Sequence, residues 1–465
     1  MSDLLNSSGV AVPTVAPATT GVALTPVDLA LPLMDFQQEA VAHALRDTAS
    51  QGHTLLALEM GLGKTPCGIA VAAAAQAQGL RTLVVVPPSL RINWAREFAK
   101  FAPWLSVATL QGTKPYDLPG TDVVVAGDSQ VDAWQGHLTG FGALVVDESH
   151  RFKNHKAKRT AALAKIAAGC GNVRVLLSGT PMPNGRHAEL AGQIEVLGHR
   201  AWSDIGGKAH FWGRFAPKID SWGGRDSAHA DELHDLLVGS FVVRRKRDEV
   251  IDLPNKGRSI VSVECQGPSV RKYVQAEDDL ISWLQSEGRD WQGAARAEAL
   301  VRLTTLRKLA GEAKVRGAVE HVKELLDEQP GGVFVVAEHR DVIDALVIGL
   351  AKYNPGVVQG GMSDTAKQAA VDAFCDGSSR VLVGQITAAG VGLTLHGGGI
   401  NHRVVVVQLP WTPAELKQAE DRLHRIGQTN DVEVEVLLAH IDGRWTIDER
   451  LWSVLEDKNF STGEV

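Results

Sequence analysis

Three stretches carry residue types at spacings that suit chemistry on a phosphate anhydride. The first is Gly61-Leu62-Gly63-Lys64-Thr65. Glycines let backbone N–H groups approach phosphate oxygens, and a helix following them offers its positive N-terminus. Lys64 would reach the terminal phosphates, and the Thr65 hydroxyl would ligate Mg²⁺. The longer form of such loops has glycine where this chain has Leu58, so the strict pattern is not met. The bland alternative is a tight turn. The second stretch, Leu144-Val145-Val146-Asp147-Glu148, is an apolar run that ends in two carboxylates. Asp147 would hold Mg²⁺ through water, and Glu148 would orient and deprotonate an attacking water. The third contains Gln418, Arg422 and Arg425, spaced i, i+4 and i+7 and so on one face of a continuous helix. Arginines there would neutralise charge on a transferring γ-phosphoryl group. Together these residues describe ATP hydrolysis, with Lys64, Asp147, Glu148, Arg422 and Arg425 as the catalytic set.

These groups need strands and turns to hold them. Short apolar runs recur at 54–58, 82–86, 122–126, 143–146 and 173–177, each bounded by turn residues and separated by helix-compatible sequence. That rhythm predicts a parallel sheet with crossover helices, whose ligands sit at the strands' C-terminal ends. Residues 186–330 break the rhythm. A second series follows at 333–337, 356–359, 381–384, 403–407 and 432–438, and 446–455 reads as a closing helix. The fold class is therefore α/β, with two parallel-sheet lobes and a helical insertion between them. The expected organisation is a flexible tail at 1–28, a first lobe at 29–190, a mostly helical insertion and linker at 191–330, and a second lobe at 331–465. Arg422 and Arg425 lie in the second lobe, so they reach ATP only if the lobes close on each other.

Composition fits this plan. At 465 residues the chain is too long for one core. Its 44% hydrophobic and 22% charged residues are ordinary for a globular protein. No apolar run is long enough to span a membrane, and the N-terminus has no secretory pattern. Cys67, Cys170, Cys265 and Cys375 form no CxxC pair, which argues against a zinc site or a disulfide framework and fits a reducing cytoplasm. Net charge is −7, yet residues 151–260 hold nineteen Lys and Arg against eleven Asp and Glu. A local basic surface on an acidic protein suits a polyanion held in one cleft.

The ordered set of motifs resembles a superfamily-two helicase motor, and within that group the Swi/Snf-type DNA translocases. Leu33-Met34-Asp35-Phe36-Gln37 resembles the adenine-reading motif, with Gln37 as base contact. Val86-Pro87-Pro88-Ser89-Leu90, then Trp94, resembles the motif that grips one strand's phosphates. Asp147 through Asn154 resembles the extended acidic box, and Ser178-Gly179-Thr180-Pro181 with Asn184 the motif coupling the ATP and DNA sites. Phe241 through Lys246, ending at Leu253-Pro254, resembles the basic segment joining the lobes. Ile386 through Thr394 and Gln418 through Gln428 resemble the fifth and sixth motifs. Ile-Thr-Ala-Ala in the fifth is most similar to the fork-remodelling or annealing branch. The resemblance implies two RecA-like lobes, ATP and Mg²⁺ as cofactors, and duplex or forked DNA as partner. It implies a nucleotide site including Gln37, Gly61, Gly63, Lys64, Thr65 and Gln418, with Thr65 and Asp147 as metal ligands. Strand contacts would come from Pro87, Ser89, Lys153, Asn154, Thr180, Thr387 and Trp411.

Lys208 to Arg225 interleaves bases with aromatics, including Phe211, Trp212, Phe215 and Trp222. Base stacking is the sharper reading and aromatic anchoring of a small insert the favoured one. A rival function on the same motifs is a strand-separating helicase acting on DNA or RNA. The expectation is a monomeric motor in the cytoplasm of a prokaryotic or phage-infected cell. The tail at 1–28 is available to dock a protein partner.

Overall fold

The computed structural model describes residues 24–46, 53–171, 173–217, 227–251, 254–265, 267–287, 294–328, 331–386, 395, 401–426, 428–441 and 443–462. They form two parallel sheets. The first is built from β1 (His53–Leu58), β2 (Thr82–Val86), β3 (Val107–Thr109), β4 (Val123–Gly127), β5 (Ala143–Val146), β6 (Val173–Leu177) and β7 (Val242–Arg245), in the order β3-β4-β2-β5-β6-β1-β7. The second contains β8 (Lys256–Glu264), β9 (Gly331–Ala337), β10 (Gly356–Val358), β11 (Val381–Gln385), β12 (Asn401–Val406) and β13 (Val432–His440), in the order β10-β11-β9-β12-β13-β8.

The central strands are apolar at consecutive positions because helices cover both sheet faces. Leu83, Val85, Leu144 and Val146 enter one core, while Val84, Val86, Val123 and Val145 enter the core on the opposite face. The second sheet repeats this division. Phe334, Val336, Val404 and Val406 lie on one side, and Val333, Val335, Val381 and Val405 on the other. Helix α1 (Asp35–Arg46) packs on α2 (Lys64–Gln76), which follows β1, while α3 (Arg91–Phe101) follows β2. Gly68 in α2 permits the close approach of that helix to the sheet. A Cβ there would lie 2.7 Å from the Trp94 ring and 3.1 Å from Val145 and Leu177.

The ten expected strands are all present, with ends shifted by at most two residues. Two further strands fall inside 191–330, the stretch assigned from sequence to a helical insertion and linker. β7 pairs with β1 at the edge of the first sheet, and β8 pairs with β13 at the edge of the second. Neither reads as a buried apolar run. β7 ends in Arg244-Arg245, and β8 exposes most of its length as an edge strand. The change of lobe therefore falls between Arg245 and Lys256. The following helices, α4 (Pro268–Glu287) and the 35-residue α5 (Ala294–Glu328), form a hairpin, and α5 also packs on β9 and β13. Lys314 of α5 is fully buried. It is neutralised by Asp448 Oδ2 at 2.6 Å and donates to the Leu437 carbonyl, which ties the hairpin to the second lobe. The C-terminal helix runs from Ile447 to Thr462. Among the described residues, no helix is long and apolar enough to cross a membrane.

The lobes meet at several points. Arg91 pairs with Asp364 at 3.3 Å and Arg96 with Asp372 at 3.2 Å, joining α3 to the second-lobe helix α6 (Asp364–Cys375). Glu59 pairs with Lys417.

Candidate functional site

The sheet's C-terminal edge gathers the chemistry. β1 ends at Leu58 and the chain turns through Gly61 and Gly63, at φ +85° and +69°, before α2 begins at Lys64. Glycine is needed here for conformation and for space. A Cβ on Gly63 would sit 2.4 Å from Gln37 Nε2, and one on Gly61 would sit 3.2 Å from the His424 carbonyl. Gly61 therefore lies directly against the second lobe.

A cavity of about 390 Å³ opens at this junction. Gln37, Lys64, Thr65, Asp147, Glu148, Arg422 and Arg425 all line it. Lys64 Nζ donates to the carbonyls of Leu58 (3.1 Å) and Glu59 (3.4 Å). Gln37 donates to the Leu62 carbonyl at 2.9 Å and accepts from the Met34 N–H at 3.0 Å, so its amide braces the phosphate loop.

β5 delivers the two carboxylates. The Trp94 indole N–H donates to Asp147 Oδ2 at 2.9 Å, and the Glu148 N–H donates to Asp147 Oδ1 at 2.9 Å. Trp94 is fully buried. The sequence placed it with a motif that grips strand phosphates, but a side chain with no solvent exposure cannot reach a strand, and its indole orients Asp147 instead. Glu148 adopts φ +48°, a left-handed conformation uncommon for a residue with a Cβ, as the chain turns sharply off the strand.

A polar chain leads away from Glu148. His150 Nδ1 lies 3.3 Å from Glu148 Oε2 and 3.2 Å from Ser178 Oγ, which in turn accepts from the Thr180 N–H at 3.2 Å. His150 thus stands between the carboxylate that would activate water and the turn holding Thr180, a candidate strand contact.

Charge in the cleft is strongly perturbed. Burial draws the Lys64 ammonium below its ordinary pKa. Burial, reinforced by the neighbouring Arg425, lowers Arg422 to about 9. Arg425 is lowered mainly by burial. Three cations thus converge on two carboxylates in a desolvated space, which favours a polyanionic ligand. Burial opposes ionisation of Glu148, but His150, Lys64 and both arginines hold it below the usual carboxylate range. Asp147 goes the other way, raised to about 6 by burial and by the charge of Glu148.

Thr65 and Asp147 supply hard oxygen donors on the cavity wall, and the raised Asp147 pKa marks a carboxylate short of a cation. Among the described residues no cluster of three or more His, Cys, Asp or Glu could hold a metal ion. The pair fits Mg²⁺, which keeps waters and takes further oxygens from a bound polyphosphate. If Asp147 holds Mg²⁺, a proton would compete with the cation for it, and affinity for Mg²⁺-nucleotide is expected to level off above pH about 6 and to fall as the pH drops below it. Titration calorimetry between pH 5 and 8 measures this, and a flat profile contradicts the role of Asp147.

The remaining expectations divide. The helix carrying Gln418, α7 (Pro413–Glu420), stops before Arg422. Gln418, Arg422 and Arg425 therefore do not share a helical face, and Gln418 is not part of the cavity wall. The helix ends in a cluster of ion pairs. Glu420 binds Lys256 (2.8 Å) and Arg258 (2.6 Å), and Asp421 binds Arg247 (2.8 Å). The turn that follows, not a helix face, points both arginines into the cleft.

Among strand-contact candidates, Pro87 is buried and Ser89 half-buried in the turn after β2. Lys153 is engaged by Glu189 at 3.0 Å, and Glu189 also accepts from Asn184. The Asn154 side chain accepts from the Lys156 N–H at 3.0 Å. Trp411 stacks under the Arg307 guanidinium, 4.1 Å from the ring centroid. Thr387 lies outside the described residues, as do Trp222 and Arg225. Phe211 and Phe215 are buried in the first-lobe core, which agrees with anchoring.

Several contributors had no distinct sequence signal: Trp94 as the Asp147 donor, His150 as the link to Ser178, and Glu59, Arg247 and Asp421 at the lobe junction. Their roles depend on partners more than fifty residues away, except for His150, whose link spans 28.

Residues 36–314 match the model of the SNF2-related domain, and residues 317–427 that of the helicase conserved C-terminal domain. The chain is similar to the Xenopus laevis SWI/SNF-related matrix-associated actin-dependent regulator of chromatin subfamily A-like protein 1, at 31% identity over 92% of this chain and 43% of that protein. It is similar at 30% identity to the Mus musculus DNA annealing helicase and endonuclease ZRANB3, over 94% of this chain and 41% of that protein. The chain thus spans less than half the length of these relatives. Among solved structures, the Sulfolobus solfataricus SWI2/SNF2 ATPase core in complex with dsDNA matches at 23% identity over 90% of each chain, with a TM-score of 0.45.

Proposed function

This chain belongs to the SNF2-related family, and we propose on that footing that it is a DNA-dependent ATPase that converts hydrolysis into movement along duplex or forked DNA. One observation carries the reading. Lys64, Thr65, Asp147 and Glu148 from the first lobe, and Arg422 and Arg425 from the second, line a single cavity. A site divided between two bodies is complete only when they close, so each round of binding and hydrolysis changes how the lobes are held.

In this reading Lys64 and the N-terminus of α2 hold the terminal phosphates. Thr65 and Asp147 hold Mg²⁺, which neutralises phosphate charge. Glu148 takes the proton of the attacking water, and Arg422 and Arg425 stabilise charge on the γ-phosphoryl group. The Glu148–His150–Ser178–Thr180 chain supports a link between the nucleotide and a strand held at Thr180. Phosphate contacts from both lobes, alternately tight and loose, would move the motor without reading sequence. We assign DNA as the polyanion partner, the motor as a monomer, and the tail at 1–28 as the docking point for any protein partner. The similarity to a protein named as a DNA annealing helicase supports DNA as the partner.

The test is the ATPase rate with duplex DNA, forked DNA, single-stranded DNA and RNA. Duplex or forked DNA is expected to stimulate the rate well above the other two, and displacement of a third strand from a triplex should follow. Stimulation confined to single strands or RNA overturns this reading in favour of a strand-separating helicase.

A further inference from the structure

The two arginines on the second lobe need a fixed distance from the phosphate loop, and one side chain connects the two. Arg247 begins a short helical turn, Arg247–Val250, just after β7. β7 lies beside β1, with Arg245 opposite Leu58, and the Glu59 N–H donates to the Arg245 carbonyl at 3.1 Å. The phosphate loop and the segment carrying Arg247 therefore leave the sheet side by side. Glu59 fastens them again, since its Oε2 accepts from the Arg247 N–H at 2.7 Å while its Oε1 meets Lys417 of the second lobe.

From that anchor the Arg247 guanidinium reaches in two directions. Nη2 donates to the Met60 carbonyl at 2.6 Å, one residue before Gly61. The same nitrogen lies 2.8 Å from Asp421 Oδ2, and Nη1 lies 2.6 Å from His424 Nδ1. His424 Nε2 is 2.7 Å from the Pro254 carbonyl and must donate to it, so Nδ1 is free to accept from Arg247. Asp421 immediately precedes Arg422, and His424 immediately precedes Arg425. A planar fork with several fixed donors suits this three-way bridge, whereas an ammonium could serve only part of it.

We propose that Arg247 is a positioning residue that clamps the phosphate loop to Asp421 and His424, and so sets Arg422 and Arg425 at their working distance from the γ-phosphate. The assignment rests on the ATPase reading above. Arg247 does not itself line the cavity, so it acts through its neighbours. The nucleotide is held chiefly by groups that the clamp does not touch, Lys64 and Thr65 among them.

The test uses the full chain with saturating duplex DNA, comparing wild type, Arg247→Ala and Arg247→Lys. Hydrolysis of Mg²⁺-ATP gives kcat, binding of Mg²⁺-ATPγS gives affinity, and a thermal melt checks folding. Displacement of the arginines by about 1 Å is expected to lower kcat in Arg247→Ala about a hundredfold. ATPγS affinity should stay within about threefold, because uniform binding groups are intact. Arg247→Lys should fall between the two, keeping the ion pair with Asp421 but losing the fork. A merely structural role would instead lower kcat and affinity together, in step with the melting temperature, and that outcome overturns the clamp. So does an Arg247→Ala rate within about threefold of wild type. If Arg247→Ala does not fold, Arg247→Lys decides, and an unchanged kcat there overturns the proposal. A wild type that hydrolyses no ATP with any polynucleotide overturns the functional reading, and the clamp falls with it. An active wild type with an unaffected variant overturns the clamp alone.

Discussion

Replacing Arg425 by alanine is expected to lower the rate of ATP hydrolysis about a thousandfold or more while nucleotide still binds. The guanidinium is half-buried on the cavity wall and arrives from the lobe opposite the phosphate loop. In that setting a fixed cation stabilises charge that develops during transfer, and it needs no solvent reorganisation to do so. Ground-state binding depends more on Lys64 and the N-terminus of α2, which the substitution leaves in place. The effect should therefore appear in kcat and spare affinity. Single-turnover hydrolysis at saturating ATP, paired with ATPγS binding, separates the two quantities. Arg425→Lys should restore little, since an ammonium cannot reproduce a bidentate contact. A loss below about tenfold in the alanine variant would remove Arg425 from the catalytic set.

The second large effect is at Glu148. Glu148→Gln keeps size and shape but removes the proton acceptor, and hydrolysis is expected to fall by about 10² to 10⁴. Burial opposes ionisation of this carboxyl. The cations Lys64, Arg422 and Arg425 counter that and hold it below the usual carboxylate range, so it is a base at neutral pH. The variant should still bind Mg²⁺-ATP and should accumulate as a DNA complex in the ATP-bound state, measurable by retention on labelled duplex. The same residue adopts φ +48°, a conformation that costs roughly 1–3 kcal/mol and that the surrounding turn imposes. An active Glu148→Gln enzyme would move the base role elsewhere and would leave that strain without a function.

Much of the molecule was legible before its structure. Runs such as Leu83–Val86 and Val333–Val336 announce buried parallel strands, because only a strand covered on both faces is apolar at every position. The phosphate loop was legible for a similar reason, since Gly61, Gly63, Lys64 and Thr65 act within five consecutive residues. The Asp147-Glu148 pair gained its meaning from following such a strand. Where local pattern conflicted with tertiary forces, the reading failed. β8 is an edge strand with most of its side chains in solvent, so it lacks the apolar signature and was assigned to a linker. The i, i+4, i+7 spacing of Gln418, Arg422 and Arg425 matched a helical face, but the helix ends at Glu420. Lys256, Arg258 and Arg247, all distant in sequence, hold Glu420 and Asp421 at that helix end, and the local spacing carries no sign of those contacts.

The sequence by itself determined the fold class, the two sheets, the phosphate loop and the acid pair, because each rests on periodicity or on contiguous residues. Tertiary structure alone decided that Trp94 orients Asp147, that Gln418 stands outside the cavity, and that Glu59 and Arg247 join the lobes. Those outcomes depend on contacts between residues 53 to 358 positions apart, and the local pattern of side chains carries no record of such distances.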